Sequence, residues 1–301
     1  MKNTLKWISA MRLRTLPLSI SGIIIASCFA GYNGVFDIKI FVLAILTTLS
    51  YQILSNLAND YGDGVKGTDN DDRIGPQRAL QSGAITKEEM FNAIRINILI
   101  SIVLTVGLVY YSFGSDNLLL ALLFFGLAGL AVRAAVKYTV GKSAYGYRGK
   151  GDIYVFIFFG LVSVIGCYVL YAKQIDHVLI LPAISVGMLS TAVLNLNNMR
   201  DIISDTKSNK ITLAVKLGKE KAKKYHYFLV GGAMICALVF SVLYYTSSPF
   251  SLLFIISYIP LLIHLSKVNK VSNPKDFDPE LKKLALSTVL FSVLLGVGYL
   301  L

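Results

Sequence analysis

The sequence predicts an all-α integral membrane protein: a bundle of nine transmembrane helices, N-terminus in the cytoplasm and C-terminus outside. Composition is the first reason. Of 301 residues, 55% are hydrophobic and only 15% are charged, whereas a soluble domain carries about 25% charged residues. The second reason is the apolar runs, most of which approach the ~20 residues a helix needs to cross hydrocarbon. They are continuous rather than alternating, which disfavours a β-barrel. The third is charge asymmetry. With the N-terminus inside, all 29 lysines and arginines except Lys39, Lys173 and Arg95 fall on the cytoplasmic side or its loops, as the positive-inside rule requires.

The segments follow in order. Leu16 to Ala30 comes after a basic start (Lys2, Lys6, Arg12, Arg14). Ile25-Ala26-Ser27-Cys28 has some likeness to a lipoprotein cleavage site, but eight further spans favour an uncleaved helix. Then come Ile38 to Leu57, Met90 to Phe113, Leu118 to Val132, Ile153 to Tyr171, Val178 to Leu196, Tyr225 to Tyr245, Phe250 to Leu265 and Leu284 to Leu301. No linker interrupts them, so residues 1–301 read as one domain. Cys28, Cys167 and Cys236 all lie in apolar runs and read as buried thiols. The net charge of +12 would raise nucleic acid as a partner of a soluble protein; topology accounts for it here, and no nucleic acid is expected. The bilayer is the partner that composition demands. Oligomeric state leaves no mark on the sequence.

Outer connections are short and inner ones long and polar, which places chemistry on the cytoplasmic side. Two inner stretches stand out: Asn56-Leu57-Ala58-Asn59-Asp60-Tyr61-Gly62-Asp63 and Asn197-Asn198-Met199-Arg200-Asp201-Ile202-Ile203-Ser204-Asp205. Each begins at the end of an apolar run, where carboxylates are costly and are rarely left without a partner. Continued as helices at ~100° per residue, Asn56, Asn59, Asp60 and Asp63 share an arc of roughly 100°, and Asn198, Asp201 and Asp205 one of roughly 60°; Arg200 points elsewhere. Two facing sets of oxygen donors suit a hard cation, Mg²⁺ in particular, which is held by a few carboxylates plus phosphate oxygens. Without His or Cys in either stretch, zinc is not favoured. Asp60, Asp63, Asp201 and Asp205 are the candidate catalytic residues.

Basic and polar groups surround them: Lys66, Arg73 and Arg78 after the first stretch, Arg200 and Lys210 at the second, and Lys142 with Tyr138 and Tyr145 in a Tyr-rich loop. Metal, carboxylates and cations together bind a diphosphate. At the mouth of an apolar bundle, that diphosphate carries a long apolar tail. The matching chemistry is ionisation of an allylic diphosphate, with cations stabilising the leaving group and a dry cavity protecting the carbocation until an aromatic nucleophile attacks. Asn56, Asn59, Lys66, Arg73, Arg78, Tyr138, Lys142, Tyr145, Asn198, Arg200 and Lys210 are the candidate substrate-binding residues.

Asn59-Asp60-Tyr61-Gly62-Asp63 resembles the first aspartate motif of UbiA-superfamily intramembrane prenyltransferases, and Asp201-Ile202-Ile203-Ser204-Asp205 the second. The stretches Asn56 to Asp69, Arg73-Ile74-Gly75-Pro76, Tyr145-Gly146-Tyr147 and Asn197 to Asp201 are similar to those of the branch that prenylates 1,4-dihydroxy-2-naphthoate in menaquinone synthesis. The resemblance implies a nine-helix bundle, Mg²⁺ held by Asn59, Asp63, Asp201 and Asp205, a polyprenyl diphosphate donor, and transfer with loss of CO₂. It also implies a multi-pass protein of the bacterial plasma membrane with a cytoplasmic active site. Two positions depart from the general pattern. Gly67 stands where a further Asp is usual, with Asp69 the nearest substitute, and Asn209 replaces a Gly, which Asn can do by adopting left-handed geometry.

Two alternatives belong beside this one: a different aromatic acceptor such as 4-hydroxybenzoate, or an ion-coupled transporter. A transporter would carry broken helices and polar residues at the midplane, whereas the polar groups here collect at one face. His177, His226 and His264 lie near span ends and read as structural.

Overall fold

The computed structural model describes residues 2–70, 74–244, 246 and 248–301; the side chains at 2, 3 and 14 also lie outside the described set. Helix is the only regular structure among the described residues. A surface helix, α1 (Lys2–Met11), leads into two short pieces, α2 (Leu16–Ser19) and α3 (Ser21–Tyr32). Eight helices long and apolar enough to cross a membrane follow: α4 (Ile38–Val65), α5 (Lys87–Phe113), α6 (Leu118–Lys137), α7 (Gly151–Ala172), α8 (His177–Arg200), and, after the single turn and a half of α9 (Ile202–Lys207), α10 (Leu213–Leu243), α11 (Pro249–Lys270) and α12 (Pro274–Leu300).

The first span differs from its expectation. Leu16 to Ala30 is not one rod: Ser19 turns its hydroxyl back to the Leu16 carbonyl (2.7 Å), and Ile20 sits at φ −90°, ψ −2° between the two pieces. That leaves α3 with 12 residues, about 18 Å of helix at 1.5 Å per residue. The other helices overrun their apolar stretches. Hydrocarbon thickness limits the apolar run, not the helix, so α4 continues from Leu57 to Val65 until Gly67 at φ 72° turns the chain away. Among the described residues no atom approaches within 4 Å of the place where a Cβ on Gly67 would stand; its left-handed geometry calls for glycine there. The helix starts are set by side-chain caps. Asp37 accepts from the Lys39 and Ile40 amides (2.7 and 3.2 Å), Thr86 and Glu89 form a capping box, and Thr212 receives the Val215 amide (3.3 Å).

α8 is the axis of the bundle. Of its apolar window 61% is buried, against 11% for α6, which offers Leu118, Leu119 and Leu122 to lipid. A smaller core lies at the polar end, where Ala10 of α1 meets Leu54, Leu57 and Ala58 of α4, Met90 and Ile94 of α5, and Ala79 and Ile85 of the connection between them. A buried polar ladder fastens the last three long helices. His226 Nε2 of α10 lies 2.9 Å from His264 Nε2 of α11; His264 Nδ1 lies 2.9 Å from Glu280 Oε2 of α12, whose other oxygen receives Lys283 Nζ at 2.5 Å.

Candidate active site

The two acidic stretches meet, and a lysine stands between them. Lys210 Nζ lies 3.1 Å from Asp63 Oδ2 of α4 and 3.7 Å from Asp205 Oδ1 of α9. All three residues are buried. Burial works against the ammonium charge, but the Asp63 and Asp205 carboxylates outweigh it and hold the Lys210 pKa above the usual lysine range. Lys210 reaches this point because Asn209 takes φ 54°, the left-handed turn expected of it.

A third element closes on the pair. Tyr147, in the connection between α6 and α7, donates its hydroxyl to Asp63 Oδ1 (2.8 Å) and shares a 2.5 Å hydrogen bond with Thr68 Oγ1. Burial, then the Asp63 charge, pushes its phenol upward, so it stays a neutral donor. Its ring lies 3.8 Å from Lys66 Nζ and 5.6 Å from Lys210 Nζ. Gly62 makes this approach possible. A Cβ there would stand 2.3 Å from Thr139 Oγ1 and 2.8 Å from its backbone carbon; with hydrogen in that place, Thr139 Oγ1 instead reaches the Ala58 carbonyl at 3.0 Å. Tyr147 and Thr68 were not singled out from the sequence. The Tyr-Gly-Tyr signal was visible, but it pointed to Tyr145, which donates to the Ala134 carbonyl (2.8 Å) and stacks on Tyr154.

The second stretch does not follow a helical wheel. α8 ends at Arg200, and Asp201 lies beyond it at φ −95°, ψ 10°. Freed from the wheel, Arg200 does not point elsewhere: it grips Asp201 through Nε–Oδ1 (2.8 Å) and Nη2–Oδ2 (2.7 Å). The same guanidinium holds Asn197 Oδ1 (2.9 Å) and Asp278 Oδ1 at the start of α12 (2.6 Å). Asp278 is a third residue the sequence did not mark.

Most of the remaining candidates disperse. Asn56 donates to the Met11 carbonyl (2.9 Å), tying α4 to the end of α1. Asp60 lines a cavity of about 350 Å³ together with Arg12 and Arg78. Asp69 lines a different cavity, of about 250 Å³. Tyr138 does not disperse: its phenol interacts with Lys210, Asp63 and Asp205, while its backbone carbonyl accepts the Gly146 amide (3.0 Å) and its ring meets Tyr145 edge-on. Asn198 is buried near the end of α8, and Lys142 is exposed. Arg73 lies outside the described residues.

These residues fit Mg²⁺. Asp63 and Asp205, from different helices, already converge on one cationic group, and Asn59 Oδ1 is buried with no hydrogen-bond partner. Among the described residues no three His, Cys, Asp or Glu side chains form a closed metal cage. Magnesium prefers such an open set, a carboxylate or two completed by substrate phosphate.

A model described as the UbiA prenyltransferase family matches residues 20–298. The chain is 41% identical to the 1,4-dihydroxy-2-naphthoate octaprenyltransferase of Escherichia coli (strain K12), over 98% of this chain and 95% of that one. It is 34% identical to the protein of the same name from Mycobacterium tuberculosis (strain ATCC 25618 / H37Rv), over 78% and 77%. Among solved structures, a UbiA homolog from Archaeoglobus fulgidus bound to GPP and Mg²⁺ superposes with a TM-score of 0.69 at 14% identity, covering 98% of this chain and 99% of that one; at that identity the likeness is one of fold.

Proposed function

The chain belongs to the UbiA prenyltransferase family, and from that premise we propose that it transfers a polyprenyl group from polyprenyl diphosphate to 1,4-dihydroxy-2-naphthoate, with loss of CO₂, giving demethylmenaquinol. The allylic carbon–oxygen bond breaks with its electron pair leaving on the diphosphate. A carbon–carbon bond forms on the ring, and the carboxylate departs as CO₂, its electrons balancing the cation's charge. The observation that carries the reading is the meeting of two distant acidic stretches at Lys210, in a chain 41% identical to a named naphthoate prenyltransferase.

Asp63, Asp205 and Asn59 would hold the Mg²⁺, which when bound neutralises the diphosphate and makes it a better leaving group. Asp201, whose two oxygens each accept one bond from Arg200, has further lone pairs and would add a fourth oxygen. Lys210 and Lys66 are the cations placed to take phosphate oxygens, and Tyr147 fixes the Asp63 carboxylate while turning its ring to both lysines. The apolar tail runs among the long helices, where water is excluded. One domain spans residues 1–301. α2 and α3 together make the first of nine spans; the N-terminus and the active site face the cytoplasm of a bacterial plasma membrane, and the C-terminus lies outside.

The test uses the purified chain, one polyprenyl diphosphate, and a panel of naphthoate, 4-hydroxybenzoate and acceptor-free controls. Prenylated naphthoate should form with Mg²⁺, vanish with EDTA and return when Mg²⁺ is restored. Turnover of 4-hydroxybenzoate alone would reassign the acceptor, and turnover undiminished by EDTA would remove the metal.

A further inference from the structure

We propose that Asp152, a buried carboxyl in the first turn of α7, is a positioning residue of the transfer reaction: it takes the O–H of Tyr138, so that this phenol turns its oxygen lone pairs and its ring toward the cations of the site. This rests on the prenyl transfer proposed above and adds a residue to it.

Asp152 is a costly residue that the fold does not explain. It is 5% exposed, and its Oδ1 is buried with no hydrogen-bond partner. The Tyr225 hydroxyl of α10 meets the same carboxyl. Among the described residues no lysine or arginine is paired with it. Buried carboxyl groups are ordinarily matched by a cation or fully hydrogen-bonded, and an ionisable group inside a membrane bundle marks function before stability.

Tyr138 is the neighbour that gives it a use. Asp152 acts on the charge of the Tyr138 phenol, as do Lys210, Asp63 and Asp205. One hydroxyl thus links the candidate metal–diphosphate site to this carboxyl. Burial raises the phenol's pKa most, Lys210 pulls it down, and the three carboxylates push it up again, so Tyr138 stays a neutral donor.

The chain builds a fixed seat for the ring. A Cβ on Gly146 would stand 2.7 Å from the Tyr138 carbonyl oxygen and 3.2 Å from its Cζ; one on Gly151 would stand 3.0 Å from its Cε2 and 3.4 Å from its hydroxyl oxygen. Two glycines therefore let the loop and the start of α7 close on one ring, which Tyr145 meets edge-on. The Gly151 Cβ would also stand 3.3 Å from Leu194 Cδ2 of α8. The turn that carries Asp152 is wedged between the phenol and the axis of the bundle.

The chemistry follows from a count of protons. A tyrosine hydroxyl has one O–H and two lone pairs. The Asp63 oxygens already accept from Tyr147 and Lys210. Asp152 Oδ1, outside that set and without a partner, is the oxygen available to the Tyr138 proton. With the O–H turned there, the lone pairs face Lys210. The ring, made richer in electrons by a charge-assisted hydrogen bond, can then meet an allylic cation through its π-face. Turned the other way, the O–H would set its positive end against that cation.

The experiment is a double-mutant cycle on the purified full-length chain with Mg²⁺, a polyprenyl diphosphate and the naphthoate acceptor. Asp152→Asn should lower kcat by roughly tenfold or more, the loss of one charge-assisted hydrogen bond. The KM of both substrates and the affinity for inorganic pyrophosphate with Mg²⁺ should not change. Tyr138→Phe should cost about as much, and the double variant no more than either single one. Asp152→Glu, which keeps a carboxylate, should recover part of the loss. Melting temperature supplies an arm apart from turnover: Asp152→Asn removes a buried carboxylate and should melt no lower than the parent chain. Tyr225→Phe, a lighter change at the same carboxyl, should lower kcat less and lose its effect in the Tyr138→Phe background. Unchanged kcat in Asp152→Asn, losses that multiply in the double variant, or melting that falls in step with activity overturns the proposal. A parent chain that prenylates naphthoate while the cycle shows no coupling sinks the role of Asp152 alone; one that transfers no prenyl group to any acceptor sinks the reaction it serves as well.

Discussion

The two acidic stretches use the same residues on different backbones. The first lies inside α4, an unbroken helix that passes straight through Asn56, Asn59, Asp60 and Asp63. Its carboxylates are spokes on a rigid rod, and each faces a fixed neighbour. The second straddles the end of α8, with Asp201 in the break and Asp205 on the separate α9. Its geometry comes from side-chain ties instead: Arg200 to Asp201 and Asp278, and Lys210 to Asp205. One half of the site is preset by the helix; the other half is assembled by ion pairs that can be exchanged for metal and phosphate.

That contrast can be broken by experiment. Asp63→Asn should lower kcat for prenyl transfer by about 10²–10³, the scale of removing one group that meets developing charge, and Mg²⁺ should no longer raise the melting temperature. Asp201→Asn should do less harm, since Arg200 already occupies that carboxylate; equal losses in the two variants would erase the distinction between preset and exchangeable halves.

Lys210→Ala leaves Asp63 and Asp205 facing each other in a buried seam. Removing one partner of a buried ion pair costs about 3 kcal/mol or more, so thermal unfolding in detergent should move down. Mg²⁺ should restore more of that loss than it adds to the parent chain, because the ion would stand where the ammonium stood. An equal Mg²⁺ shift in both would argue against a shared place.

Gly62→Ala presses a methyl group into Thr139. Overpacking of this kind costs about 1–3 kcal/mol, and activity should fall with stability because the same shift carries Tyr147 off Asp63. Tyr147→Phe is the mildest test. Two hydrogen bonds of about 1 kcal/mol each are lost; only the one to Asp63 touches the catalytic carboxylate, so kcat should drop by roughly fivefold, with a larger drop in the background of unaltered Asp63 than in Asp63→Asn.

The sequence announced some of this and hid the rest for definite reasons. The long apolar runs marked the eight long spans, but not their ends: the run of α4 stops at Leu57, whereas the helix, as the arc of oxygen donors required, passes Asp63 and continues to Val65 because nothing stops it before Gly67. The first span read as whole because Leu16 to Ala30 is nearly all apolar; the break at Ile20 comes from Ser19 and local geometry, which hydropathy ignores. Asp63 and Asp205 were legible from their motifs. Tyr147 and Asp278 were not, since their partners lie 84 and 78 residues away, a nearness that only packing creates. Arg200 was misjudged because a helical wheel holds only while the helix does.

The ladder through His226, His264, Glu280 and Lys283 bears on how the chain is made. His226 emerges 38 residues before His264, and Glu280 another 16 after that. Before their neighbours arrive, His226 and His264 would lack the partners that only the following helix supplies, whereas Glu280 already meets Lys283 on its own helix. The last third of the protein therefore completes its buried polar contacts only after α12 has been made.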